Sequence, residues 1–392
     1  MESIKKEVMI LADKLKQEIF EVADEIHKNP ELGNQEFMAS RLLKEKITKY
    51  GFKIQDVEGL PTAFIASKKG TKPGPTIAFL AEYDALPQIG HACGHNLIAA
   101  ASFGAAAALG SLGDDLVGEV MLVGSPAEET NGAKVLLVEK GIFSCVDAAM
   151  MVHPGNRTSA YATSLAMEAI EFTYTGRAAH AASSPHMGIN ALDAVIILFN
   201  SINALRQQLK SDVRIHGIIT DGGKAPNIIP DKATARFYVR AKEKAYMLQV
   251  KEKVIACARG AELATGARLS YKNFELPFDN LITNTTIADV FKQNLKELGV
   301  SDISDEEEGI GSTDMGNVSQ VVPSIHPHIA IAEKNVAPHS IEFCQAAGSE
   351  RGKLAALVSA KAMAMTAVEL ALHPQLLEKA KEEFRETISP SQ

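Results

Sequence analysis

Cysteine is scarce in this chain of 392 residues: four, at 93, 145, 257 and 344, far apart and without paired spacing. That excludes a disulfide framework and suits a reducing cytoplasm. Clusters of Lys and Arg are missing too, and the formal charge is −8, so nucleic acid and acidic membrane surfaces are not expected partners. No apolar run reads as long enough to span a bilayer. The longest, near Ala99 to Leu109, is interrupted by Ser102, Phe103 and Gly104 and reads as a buried helix. The first thirty residues are a charged, amphipathic helical pattern and not a secretion signal. No internal repeat is visible.

What is present is the balance of a globular protein, 46% hydrophobic and 22% charged. At this length two domains are expected. Up to about residue 166, apolar strands ("TAFIASKKG", "TIAFLA", "GEVMLVG", "DAAMMVHPG") alternate with helical segments. That alternation predicts an α/β fold with a mostly parallel sheet. Between 167 and 275 the order becomes β-α-β-β-α-β, a split βαβ or ferredoxin-like α+β domain. It reads as an insertion, because the earlier pattern resumes at 276 and runs to 392. The acidic run "DISDEEEG" reads as a solvated loop and the tail "TISPSQ" as frayed.

Chemistry-bearing residues collect where strands end, the place at which parallel sheets build their sites. "GHACGHN" sets Cys93 and His95 on either side of Gly94, whose freedom permits a curl that turns both toward one ion. His91 beside them reads equally as a structural neighbour. "SPAEET" places Glu128 and Glu129 together, so that one carboxylate could ligate while the other handles a proton. His153 and His339 close two further apolar strands, and Asp84 in "EYDALP" is suited to take the second N–H of a ligating imidazole. Cys93, His95, Glu129, His153 and His339 are too many for one open catalytic metal. They fit two divalent cations roughly 3.5–4 Å apart, with Cys93 as a plausible bridge. Two other readings of these residues stay open: a cysteine hydrolase with Cys93 as nucleophile, and a non-catalytic protein that binds carboxylates or metal.

The segments "EYDALP", "GHACGHN", "SPAEET", "MMVHPG", "GRAAHAASSPHMGINALDA", "APNIIPDKATARFYVRA", "GSTDMGNVS" and "APHSIEF" resemble, in order and over nearly the whole length, metallopeptidase family 20. The likeness is to its amidohydrolase branch, nearest the aminobenzoyl-glutamate hydrolases and Xaa-Lys dipeptidases. Asn96 departs from the Asp that many relatives carry there.

The resemblance implies a metal-dependent amidohydrolase or dipeptidase acting on N-acyl amino acids or short peptides. Its two metals would be Zn²⁺ or Mn²⁺, with Co²⁺ also accommodated. It implies Cys93, His95, Glu129, His153 and His339 as ligands, Glu128 as general base and Asp84 as support. It makes the insertion a lid and dimerisation module of a homodimer or a tetramer of dimers. Within that module it implies His180 reaching a partner subunit's site and polarising the scissile carbonyl there, with Asn227 and Arg240 gripping substrate, Arg240 through a carboxylate.

Overall fold

The computed structural model describes residues 2–305 and 311–388. Half of the acidic run and the end of the tail lie outside them. In chain order the strands are β1 (Lys53–Val57), β2 (Leu60–Lys69), β3 (Lys72–Ala81), β4 (Val117–Gly124), β5 (Ala148–Met150), β6 (His153–Gly155), β7 (Ala166–Thr175), β8 (Arg214–Asp221), β9 (Lys232–Ala241), β10 (Arg268–Asn273), β11 (Ser324–Ile325) and β12 (His328–Ala330). The chain divides into two compact units. One joins the segment ending at Thr163 to the segment beginning at Leu281, and the other is Ser164–Asn280.

In the first unit six strands lie in the order β1-β2-β4-β3-β5-β11. β3 runs parallel to both β4 and β5, and β11 parallel to β5. The edge departs from this: β1 and β2 are antiparallel to each other, and β2 is antiparallel to β4. Only Glu58 and Gly59 separate β1 from β2, and Gly59 sits at φ 77°. So short a loop makes a hairpin and leaves no room for the crossover that a parallel pair needs. β3 also starts earlier than its turn residues suggest. Pro73 and Pro75 are accommodated where the register against β4 shifts, between Lys72 and Thr76.

Helix His95–Gly110 is buried along its whole length, as its Ala-rich composition implies. At Gly104 an added Cβ would stand 2.6 Å from Ile19 Cδ1 and 3.0 Å from Ala360 Cβ. Small residues therefore let helices Lys16–Lys28 and Glu350–Leu372 close on it. Glu350–Leu372 corrects the expectation that no segment could cross a membrane: it is long and apolar enough by length and composition. After Glu350 and Arg351 at its start, its charges, Lys353, Lys361 and Glu369, recur roughly every two turns and so hide the run from a search for unbroken apolar sequence. Its apolar residues, Met363 and Leu370 among them, are core. The N-terminal pattern is two helices, Glu2–Lys14 and Lys16–Lys28, parted at Leu15, and not one.

In the second unit the strands lie in the order β10-β7-β9-β8, all neighbours antiparallel. Helices Ala191–Leu205 and Lys244–Thr265 cross between them, which is the ferredoxin-like arrangement. Alternation is the cause. Phe172, Tyr174, Ala235, Phe237 and Val239 face Val195, Leu198 and Val254 in one core. The strand β8 is an edge and exposes Ile218 and Ile219.

Candidate active site

Three neighbouring strands of the first unit end at Ala81, Gly124 and Met150. The segments that leave them bring Glu82 and Asp84, Glu128 and Glu129, and His153 to one place. His153 does not prolong the buried strand before it. The chain quits the main sheet after Met150, and His153 opens β6, which pairs in parallel with β12 in a two-stranded ribbon. The segments of β5 and β11 stay side by side across the break, Met151 N–H donating to the Ile325 carbonyl and His153 N–H to that of Pro327, so the parting is from β3, whose pairing with β5 stops at Met150.

His95 begins the buried helix, and Gly94 before it holds φ 80°. A Cβ at that glycine would lie 2.8 Å from Pro154 Cγ, so the curl between Cys93 and His95 depends on glycine twice over. His339, at φ 62°, is tied back by its N–H to the carbonyl of Ala92 at 2.9 Å.

The donor atoms converge. Cys93, His95 and His153 offer ligand atoms all within 4.8 Å of one another, and so do Cys93, Glu129 and His339, and His95, Glu128 and Glu129. Cys93 Sγ is 3.5 Å from His153 Nε2, and Glu129 Oε1 is 3.4 Å from His339 Nε2 and 3.8 Å from His95 Nε2. Neighbouring groups fix the orientations. His95 Nδ1–H donates to Asp84 Oδ1 at 2.9 Å, while Asp84 Oδ2 accepts the N–H of Glu129 at 2.9 Å. His153 Nδ1–H donates to the Pro154 carbonyl at 2.6 Å. Both imidazoles therefore turn Nε2 inward. His95 Nε2, Glu129 Oε1 and Glu82 Oε2 are buried and make no hydrogen bond among the described residues. Their nearest polar contacts are long ion pairs, His95 Nε2 to Glu82 Oε2 and Glu129 Oε1 to His339 Nε2, at 3.4 Å each. A divalent cation would satisfy them, and thiolate, imidazole and carboxylate together are a donor set for one.

The two adjacent carboxylates are pushed apart. Burial above all, then the charges of Glu82, Glu129 and Asp314, lifts Glu128 well above the ordinary carboxylate range. Burial would lift Glu129 as well, but His339 and His95 outweigh it and hold Glu129 down. Burial, with Glu129 adding to it, raises the Cys93 thiol well above its usual range.

Three residues that the sequence reading did not single out complete the inner wall. The fully buried Lys134 ammonium is 2.5 Å from Glu82 Oε1 and 2.6 Å from Asp314 Oδ1. Oxygens of Glu82, Glu128 and Asp314 lie within 4.8 Å of one another. Glu82 and Asp314 stand inside "EYDALP" and "GSTDMGNVS", and of the two only Glu82, just past "TIAFLA", gave the signal of a charge closing an apolar run. His326 and His328 pack beside His153, with ring centres 5.5 Å from it.

His91 stands outside these groupings, buried and stacked on His27 at 6.2 Å, with neither ring nitrogen hydrogen-bonded among the described residues. Asn96 is structural: its amide donates to the carbonyls of Ala23 and Ala347 at 3.2 and 3.0 Å. Burial first, then His95 and His27, lowers His91 to about 3. The folded state therefore favours neutral His91. The stability this gives is full above the unfolded value near 6.5 and drains away as pH falls from there toward 3. Urea midpoints of the metal-free chain should drop between pH 7 and pH 5 by the equivalent of about 2 kcal/mol from this residue. His91→Gln should flatten that slope.

His180, Asn227 and Arg240 belong to the second unit. His180 is exposed, and its Nδ1 accepts the N–H groups of Ala182 and Ser183 at 3.2 Å each. The ring proton is thereby left on Nε2. The loop of Asn227 faces it, with Ala181 N–H donating to the Asn227 carbonyl at 3.0 Å. Arg240 lies half-buried on β9, its guanidinium 5.4 Å from the Tyr238 ring centre.

A parallel-strand α/β unit that gathers thiol, imidazole and carboxylate donors at its strand ends, interrupted by a ferredoxin-like module, defines a metal-dependent amide hydrolase. Known proteins agree. Residues 167–264 match the family model of the peptidase dimerisation domain of M20. The chain is 38% identical to Xaa-Arg dipeptidase of Mus musculus, over 98% of this chain and 93% of that protein. It is 31% identical to a component of the p-aminobenzoyl-glutamate hydrolase of Escherichia coli (strain K12), over 87% of this chain and 72% of that one. A dinuclear metal-binding M20 peptidase of Bacillus subtilis has the same fold, with TM-score 0.65 at 22% identity, covering 88% of this chain and 98% of that one. The chain belongs to the M20 family of metallopeptidases and amidohydrolases, and it hydrolyses amide bonds.

Proposed function

We propose that this enzyme cleaves dipeptides whose C-terminal residue is basic, with two divalent cations, Zn²⁺ or Mn²⁺, held by Cys93, His95, Glu129, His153 and His339. Co²⁺ suits the same donors. One observation carries the reading of the centre: Cys93 belongs to two of the ligand groupings, His95 and His153 on one side and Glu129 and His339 on the other. A thiolate there can serve two cations at once. The dipeptide assignment draws on the 38% and 39% identity to the mouse and human Xaa-Arg dipeptidases.

Cations bound there would supply Lewis acidity, polarising the scissile carbonyl and acidifying the attacking water. The chain's own residues do the rest. Glu128, the carboxylate whose surroundings favour accepting a proton, takes one from the water and passes it to the leaving nitrogen. Asp84 keeps His95 and the Glu129 backbone in place. His180, with its proton on Nε2, reaches the site of a partner subunit and donates to the carbonyl oxygen as charge develops there. Arg240 presents a planar fork suited to the substrate carboxylate, with Asn227 as a further grip. The working form is a homodimer, joined through the second unit, whose β8 edge and exposed Ile218 and Ile219 ask for cover. The four free thiols suit a reducing cytoplasm.

The test is a panel on metal-loaded protein: Xaa-Arg and Xaa-Lys dipeptides, Xaa-Leu, N-acetyl amino acids and aminobenzoyl-glutamate. The expected result is kcat/KM at least about tenfold higher for the basic dipeptides, the discrimination that one well-placed charged contact gives. A preference for aminobenzoyl-glutamate or for N-acetyl substrates would replace the substrate assignment and leave the centre intact.

A further inference from the structure

Residues 29–36 pack against both loops that carry the carboxylates. Ala85, next to Asp84, donates its N–H to the Glu31 carbonyl at 2.8 Å, and Asn34 bonds Asn131 at 2.8 Å. A Cβ on Gly33 would stand 3.1 Å from Ala127 Cα. Glu36 occupies the N-cap of helix Phe37–Thr48, where a carboxylate ordinarily accepts amides of its own helix. Here Glu31 does that, its oxygens accepting the N–H groups of Met38 and Ala39 at 2.9 and 3.0 Å. The Glu36 side chain is released for another use. Fully buried, it accepts the N–H of Ala127 at 2.8 Å and the hydroxyl of Thr62 at 2.9 Å. Ala127 immediately precedes Glu128 and is held at φ 61°. A residue with a Cβ seldom adopts that conformation unless its surroundings impose it.

We propose that Glu36 is a positioning residue for Glu128: its carboxylate pins the strained Ala127 peptide and so aims the neighbouring side chain at the water it must deprotonate. The inference rests on the reading of Glu128 as general base. Burial, with Asp84 adding to it, lifts the Glu36 carboxyl to about 7, and the Thr62 hydroxyl bonded to it opposes that rise. A merely structural Glu36 would affect stability. A positioning one affects turnover in protein that is folded and fully loaded with metal.

The test compares Glu36→Met, which keeps bulk alone, with Glu36→Gln, which keeps an acceptor for the Ala127 N–H. Glu36→Met should lower kcat by about 10- to 100-fold, the scale of an ångström-sized misplacement. KM and metal content should stay at wild-type values, and amide exchange at residues 126–130 should quicken. Glu36→Gln should restore most of the lost turnover. A Glu36→Met enzyme with wild-type kcat overturns the proposal, and so does a loss that Glu36→Gln shares in full. If Glu36→Met does not fold, Thr62→Val, which removes the other bond to the carboxylate, is read in its place. It should lower kcat severalfold at constant KM, and an unchanged kcat counts against the proposal. Wild-type activity that survives both chelation and Glu128→Gln would instead overturn the reading of the site.

Discussion

Glu128→Gln yields a folded, metal-loaded protein whose kcat is lower by about 10²- to 10⁴-fold, the range for loss of a general base. KM changes little, because Gln has the shape of Glu and Glu128 is not needed to hold substrate. The prediction depends on telling apart two adjacent carboxylates. Glu129 is drawn down by His339 and His95 and has the character of a permanent anion, suited to a cation. Glu128 is pushed up by burial and by the charges of Glu82, Glu129 and Asp314, and a carboxylate so placed gains by taking a proton. Glu129→Gln should therefore differ in kind. It should lose metal, and with it activity, in a way that excess metal partly restores. Steady-state kinetics with metal content measured on the same samples separates the two. If Glu128→Gln retains kcat within about tenfold of wild type, the proton is carried elsewhere.

The β-α alternation and the change to β-α-β-β-α-β at the insertion were legible because each reflects a periodicity of burial, 3.6 or 2 residues, that any sequence displays. The convergence of Cys93, His95, Glu129, His153 and His339 was legible for a different reason. Imidazole and thiol close to apolar strand ends are unusual enough to be noticed one at a time. What stayed hidden were features whose meaning is relational. Lys134 lies in "GAKVLLVEK", and nothing local distinguishes it from Lys140 in the same segment. Its burial follows from Glu82 and Asp314, 52 and 180 positions away, closing on its ammonium. The same holds for Glu36, whose use shows only once Glu31 is seen to take the amides of the helix it caps and Ala127 to need a partner. The parting of β6 from the main sheet turned on where β3 stops pairing, at Met150, and the β1–β2 hairpin on a two-residue loop.

Chelation should abolish turnover, by about 10³-fold or more given the several kcal/mol that Lewis-acid stabilisation provides. Zn²⁺, Mn²⁺ or Co²⁺ should restore it. The competing use of Cys93, as a nucleophile, requires a thiolate. Burial and Glu129 oppose that in the protein alone, since both raise the Cys93 thiol. A pair of cations reverses the balance: it would neutralise Glu129, deprotonate the thiol and give the orphaned His95 Nε2 and Glu129 Oε1 a partner. The same event should therefore appear in stability. Cations at a thousand times their dissociation constant add about 4 kcal/mol to the folded state. The melting temperature should fall on chelation and recover with the same metals that recover activity. A thiol hydrolase would show the opposite pattern, with activity indifferent to chelator and lost to alkylation of Cys93. Cys93→Ala should match chelation in activity and in melting temperature, because it removes a side chain that the His95–His153 and Glu129–His339 groupings share.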